Sequence, residues 1–131
     1  MTINRSVQKR MRSLEESGYG RCGLLDEELT TSELYVIELE DARLSVYRSG
    51  FAVKQNGQDF FYRFDEVLEI VSCLTAELCS RASADQNINF SLPLKVRFEV
   101  GEVVLHIPFL AYSRILNVLA DMCGKRGQIY F

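Results

Sequence analysis

The chain has 131 residues, of which 47% are hydrophobic, 11% aromatic and 25% charged, with two prolines and no tryptophan. That length holds one compact domain and that apolar share offsets the cost of ordering it, which excludes a multidomain enzyme and a disordered polymer. A net charge of -3 lacks the cationic excess that displaces counterions from a duplex, so the sequence predicts no nucleic-acid partner.

Charge is unevenly spread along the chain. Residues 1–12 carry Arg5, Lys9, Arg10 and Arg12 and no acid, whereas residues 13–41 carry nine acids against Arg21 alone. Within the basic stretch Ile3, Val7, Met11 and Leu14 recur at steps of four, four and three, which predicts a short N-terminal amphipathic helix. Its apolar stripe packs either on the domain's own surface, on an anionic membrane or in a partner's groove. Its four cations are the candidate contacts to a partner or to lipid. Gly18, Gly20 and Gly23 then predict a flexible link over residues 17–23, so residues 1–23 read as an arm and 24–131 as the domain.

From residue 33 the pattern turns extended. Residues 33–39 (ELYVIEL) and 43–48 (RLSVYR) predict an antiparallel pair around Glu40-Asp41. Asn56-Gly57 tolerates the positive φ angles of a type I′ turn and predicts a hairpin between strands 51–55 and 58–64, with Phe60, Tyr62 and Phe64 on its core face. Residues 66–80 fit both a helical stripe and a strand, and periodicity does not arbitrate. Residues 80–91 (SRASADQNINFS) predict a loop. Alternation of Leu94, Val96, Phe98 and Val100, a turn at Gly101-Glu102, and the return through Val103, Leu105 and Ile107 predict a second hairpin. Pro108 ends it, and apolar residues from Tyr112 to Cys123 at helical spacing, stopped by Gly124, predict a C-terminal amphipathic helix. The apolar tail 128–131 (QIYF) packs on the domain, adds a strand or docks into a neighbour, which leaves homo-oligomer formation open.

Residues 1–16 lack the uninterrupted apolar stretch of a secretory signal, and no apolar run approaches the length of a membrane span. The expected location is cytoplasmic, with Cys22, Cys73, Cys79 and Cys123 as reduced, mostly core thiols. Their spacing does not suit a zinc site.

Counted as a strand, residues 66–80 complete a series of seven antiparallel strands followed by one helix. The run RLSVYRSGFAVKQNGQDFFYRFDEVLEIVS, with an acidic pair opening a bend into the next strand, resembles the pleckstrin-homology-like (PH-like) superfamily, in particular bacterial PH-like and GRAM-like domains. The resemblance implies an α+β, mainly β fold: a bent antiparallel sheet or small barrel of six to seven strands capped by the C-terminal helix. If residues 66–80 are helical, a six-stranded α+β roll follows instead. The resemblance also implies a binding role, but the loop that is basic in inositide-binding members is Glu40-Asp41-Ala42 here, and two carboxylates there repel an inositol phosphate.

No residues assemble a recognisable reaction centre. The single histidine, His106, sits on the polar face of a predicted strand, and Glu38 with Glu40 has no evident pocket to separate their pKa values. Gly18, Gly20 and Gly23 match G-x-G-x-x-G spacing without the strand before and helix after that phosphate binding needs. The expectation is therefore a non-catalytic, cofactor-free module for protein–protein contact through hairpin edges and the basic helix. Two alternatives stand beside it: peripheral membrane association through Arg5, Lys9, Arg10 and Arg12, and an immunity-type inhibitor using the acidic segment 26–41.

Overall fold

The computed structural model describes residues 5–23, 33–73, 90–124 and 129–130. In chain order the elements are helix α1 (Arg5–Glu16), strands β1 (Arg21–Cys22), β2 (Tyr35–Glu38), β3 (Arg43–Val46), β4 (Gly50–Gln55) and β5 (Gln58–Arg63), a 3₁₀ turn (Phe64–Glu66), β6 (Val67–Ser72), β7 (Ser91–Phe98), β8 (Gly101–Pro108), helix α2 (Phe109–Cys123) and β9 (Ile129–Tyr130). One sheet runs β1-β2-β3-β4-β5, all antiparallel. The other runs β8-β7-β6-β9, antiparallel except that β9 lies parallel to β6. The two sheets remain separate, so the small barrel held open by the sequence is not formed: the 3₁₀ turn carries the chain from β5 to β6 without ladder pairing between them.

Two turn chemistries set this layout. Asn56 (φ 54°) and Gly57 (φ 77°) close the β4–β5 hairpin as their residue types predict. Pro108 ends β8 and precedes α2, and Gly124 (φ 68°) stops α2 in the left-handed conformation with its N–H returned to the carbonyls of Ala120 and Asp121.

Residues 67–72 are strand, which settles that part of the ambiguous segment; residues 74–80 and the predicted loop up to residue 89 lie outside the described residues. A bulge between Val67 and Glu69 shifts the register. It turns Val67 inward and leaves Leu68 exposed, against the alternation that places Leu68 with Ile70. The second hairpin turns at Glu99-Val100 rather than Gly101-Glu102, since Phe98 pairs with Gly101. Val100 extends the alternation by one apolar residue but sits on the turn, fully in solvent.

A single core joins the inner faces of both sheets, α2 and α1. Val7, Met11 and Leu14 are all buried in it, so the helix read as an arm is built into the body of the protein. Residues 17–23 differ likewise from the predicted flexible link. The Tyr19 N–H donates to the Leu14 carbonyl, the Cys22 N–H to Glu15 Oε2 and the Gly23 N–H to the Leu34 carbonyl, while β1 pairs with β2. Gly20 and Gly23 serve close approach: a Cβ on Gly20 (φ 98°) would stand 2.5 Å from the Val36 carbonyl oxygen, and one on Gly23 2.2 Å from that of Glu33.

Candidate interaction surface

The β4–β5 hairpin delivers β5 to the edge of its sheet, where among the described residues one row of backbone N–H and C=O groups has no ladder partner. The pleat directs Phe60 and Tyr62 inward, in rows with Val53 and Phe51, as the sequence predicts. Burial differs from that prediction, because of the two inward residues only Tyr62 stacks on a ring of the opposing sheet, that of Phe98. Phe60 is 45% exposed and Tyr62 half-buried, whereas Phe64, in the 3₁₀ turn, is buried. Phe61, on the outer face, is 53% exposed. It lies against Tyr47, with ring centroids 6.0 Å apart, and over Gly50, where any Cβ would meet the Phe61 ring at 2.7 Å.

Aromatic rings continue from β5 to the other sheet. Phe51 packs against Tyr62 at 5.3 Å, Phe64 at 6.0 Å and Phe98 at 6.4 Å between centroids. Tyr62 stacks on Phe98 at 4.8 Å with 19° between the ring planes. Beside this stack is an open notch of about 220 Å³ lined by Tyr62, Phe98, Val100, Gly101, Glu66 and Glu102. Sequence reasoning did not find it. The only local signal is the FFY run of β5, which has aromatic residues on both faces and so cannot be wholly core.

The four cations predicted as contacts divide into two groups. Arg5, Lys9 and Arg12 are exposed and follow one another at steps of four and three along α1. Each lies two residues, or about 200° of helical rotation, from a member of the buried stripe, so the ridge points directly outward. Arg10 is not part of that ridge. Its Nη1 pairs with Asp121 of α2 at 2.9 Å, and the two side chains are only 24% and 10% exposed, so this guanidinium joins the helices rather than facing a partner.

Arg114 completes the seam between the helices. Its Nη1 donates to the Ser13 carbonyl and to Oγ of Ser13 and Ser17, its Nη2 to the Leu110 carbonyl, and its guanidinium carbon stands 5.8 Å from the centre of the Tyr19 ring. Two tyrosine hydroxyls are tied to backbone nearby. Tyr35 donates to the Tyr19 carbonyl; Tyr112 donates to the Pro93 carbonyl at 2.7 Å and accepts from the Cys73 N–H at 2.9 Å. Burial raises both phenol pKa values above their ordinary value, further for Tyr35 than an adjacent Arg114 charge lowers it.

The other residues singled out by sequence are placed as follows. His106 Nδ1 lies 3.0 Å from Asp41 Oδ2 at the surface, tying β8 to the β2–β3 turn. Glu38 pairs with Arg43 at 3.4 Å. Gly18 and Gly20 belong to the turn after α1, so the glycine spacing reflects chain reversal and not a phosphate loop. Cys22, Cys73 and Cys123 are partly buried thiols; Cys79 lies outside the described residues. Among the described residues no three His, Cys, Asp or Glu side chains converge as a metal site, and no helix is long and apolar enough to cross a membrane. Of the acidic segment 26–41, residues 26–32 lie outside the described residues. No protein family, characterised protein or solved structure matches the chain.

Proposed function

We propose that the chain is a PH-like, non-catalytic module that binds a cytoplasmic protein partner through the β5 edge. Support for the PH-like part is the order of elements: β2 to β8 are seven antiparallel strands, followed by α2. One observation carries the contact surface: five of the six residues of β5, whose outer edge has no ladder partner among the described residues, are exposed, Phe60 and Phe61 among them. Edge strands are ordinarily shielded by charge, proline or a covering loop, and an aromatic free edge is the arrangement to which a partner's strand adds. Covering the two rings would contribute on the order of 1 kcal/mol each, in addition to the ladder hydrogen bonds.

The test is capture of partners by the tagged chain, by a Phe60→Ser/Phe61→Ser variant and by an Arg5→Gln/Lys9→Gln/Arg12→Gln variant, each shown to fold. A stoichiometric protein retained by the first and third and lost from the second is the expected result. Retention of the same protein by the β5 variant overturns the proposal.

The outward ridge of Arg5, Lys9 and Arg12 favours a second reading, weak association with anionic lipid. The apolar stripe that would insert is already buried, which leaves electrostatic attraction of about 1 kcal/mol per cation. Such binding to phosphatidylserine vesicles disappears as salt rises; binding that persists in high salt contradicts this reading.

A further inference from the structure

We infer that the notch beside the Tyr62–Phe98 stack receives an arginine or lysine side chain from a basic protein segment. The inference rests on the proposed partner-binding role and names the chemistry that the partner presents.

The notch exists because of register. Gly101 stands opposite Phe98 in the β7–β8 ladder and has no side chain to cover that ring, and Tyr62, stacked on Phe98 from the edge strand β5, remains half-buried. Phe98 thus gives one side to Tyr62 and retains aromatic surface toward the opening, at the place where the cavity measures about 220 Å³. A cation seated against aromatic surface is attracted by the electrons of the ring.

The charges around the opening have the matching sign. Glu66 and Glu102 line it, and neither is in an ion pair among the described residues. Of the nearby cations, Arg63 pairs with Asp65 at 2.8 Å, and Arg97, which stands opposite Glu102 in the β7–β8 ladder, pairs with Glu69. Aromatic surface with two uncommitted carboxylates at its rim suits a cation with an apolar stem, as in arginine and lysine, whose methylenes would cover Val100. An anionic or purely apolar group would leave both carboxylates facing it unpaired.

The test uses a Gly/Ser peptide with one central arginine, compared with the same peptide carrying citrulline, which keeps the shape and removes the charge. Binding is followed by NMR through the Gly101 amide and the Tyr62 and Phe98 ring resonances. The arginine peptide is expected to shift these signals saturably. The citrulline peptide, and the arginine peptide on a Glu66→Gln/Glu102→Gln variant, are expected to bind about tenfold more weakly, the scale of one cation–aromatic contact with charge pairing. Equal binding of both peptides, shifts confined to other residues, or no effect of the glutamine variant overturns the inference. None of these outcomes involves Phe60 or Phe61. Failure here with partner loss in the β5 variant removes the notch and keeps the proposed function; success here with a β5 variant that retains its partner does the reverse.

Discussion

The β4–β5 and β7–β8 hairpins share alternation and a two-residue turn, yet the first is open and the second closed. Along β8 every inward residue from Val103 to Ile107 is buried, because α2 packs on that sheet and α1 packs on α2. Along β5 the inward Phe60 and Tyr62 remain part-exposed, although Tyr62 stacks on Phe98. Alternation therefore fixes which face a residue takes, while the partner layer fixes how deeply it is buried. The closed side buries its apolar surface, and the open side leaves part of its apolar surface in solvent.

The sharpest way to break this comparison is to delete matching side chains. Leu105→Ala removes a fully buried side chain and should cost about 2–5 kcal/mol, whereas Phe60→Ala should cost about 1 kcal/mol or less. Urea unfolding of both variants checks this, and comparable losses would mean that β5 is packed like β8.

Alkaline pH probes the same contrast. Tyr35 and Tyr112 have folded-state pKa values raised by burial above the ordinary value of 10, so the unfolded chain loses these protons first. Their contribution is complete below pH 10 and lost as pH rises toward the folded values, so stability should fall above about pH 10. Phenolate absorbance followed together with unfolding should show both groups ionising only as the fold opens; early ionisation of both would place them at an exposed surface.

A smaller effect should come from the helix seam. Asp121→Asn leaves Arg10 part-buried with its charge partner removed and should cost about 1–3 kcal/mol in a denaturant titration. The smallest is expected at the ridge, where Arg5→Gln, Lys9→Gln and Arg12→Gln together should change stability by about 0.5 kcal/mol or less. A large loss there would show that the ridge is part of the seam.

Much of the fold was legible in the sequence where its signals are local. Asn56-Gly57 announces a turn, Pro108 and Gly124 bracket α2, and the α1 stripe is readable by spacing alone. Reading failed where two distant segments decide the outcome. Residues 17–23 look flexible by composition, but Gly20 permits close passage beside Tyr35 and Val36, and Gly23 beside Glu33, which only the folded sheet brings there. Arg10 looks equivalent to Arg5, Lys9 and Arg12 until Asp121 arrives from the far end of the chain. The notch needs Tyr62, Phe98 and Gly101 from both sheets, and no spacing within either hairpin encodes their meeting.

The account stands most directly on whether the open edge is where another protein binds. Phe61→p-benzoylphenylalanine, expressed in cells and irradiated, places a short-range cross-linker on β5, and the same group at Ser113, exposed on α2, supplies the control. The account predicts one discrete protein adduct from position 61 and none from position 113. No adduct at 61, or the same adduct from both positions, would contradict it.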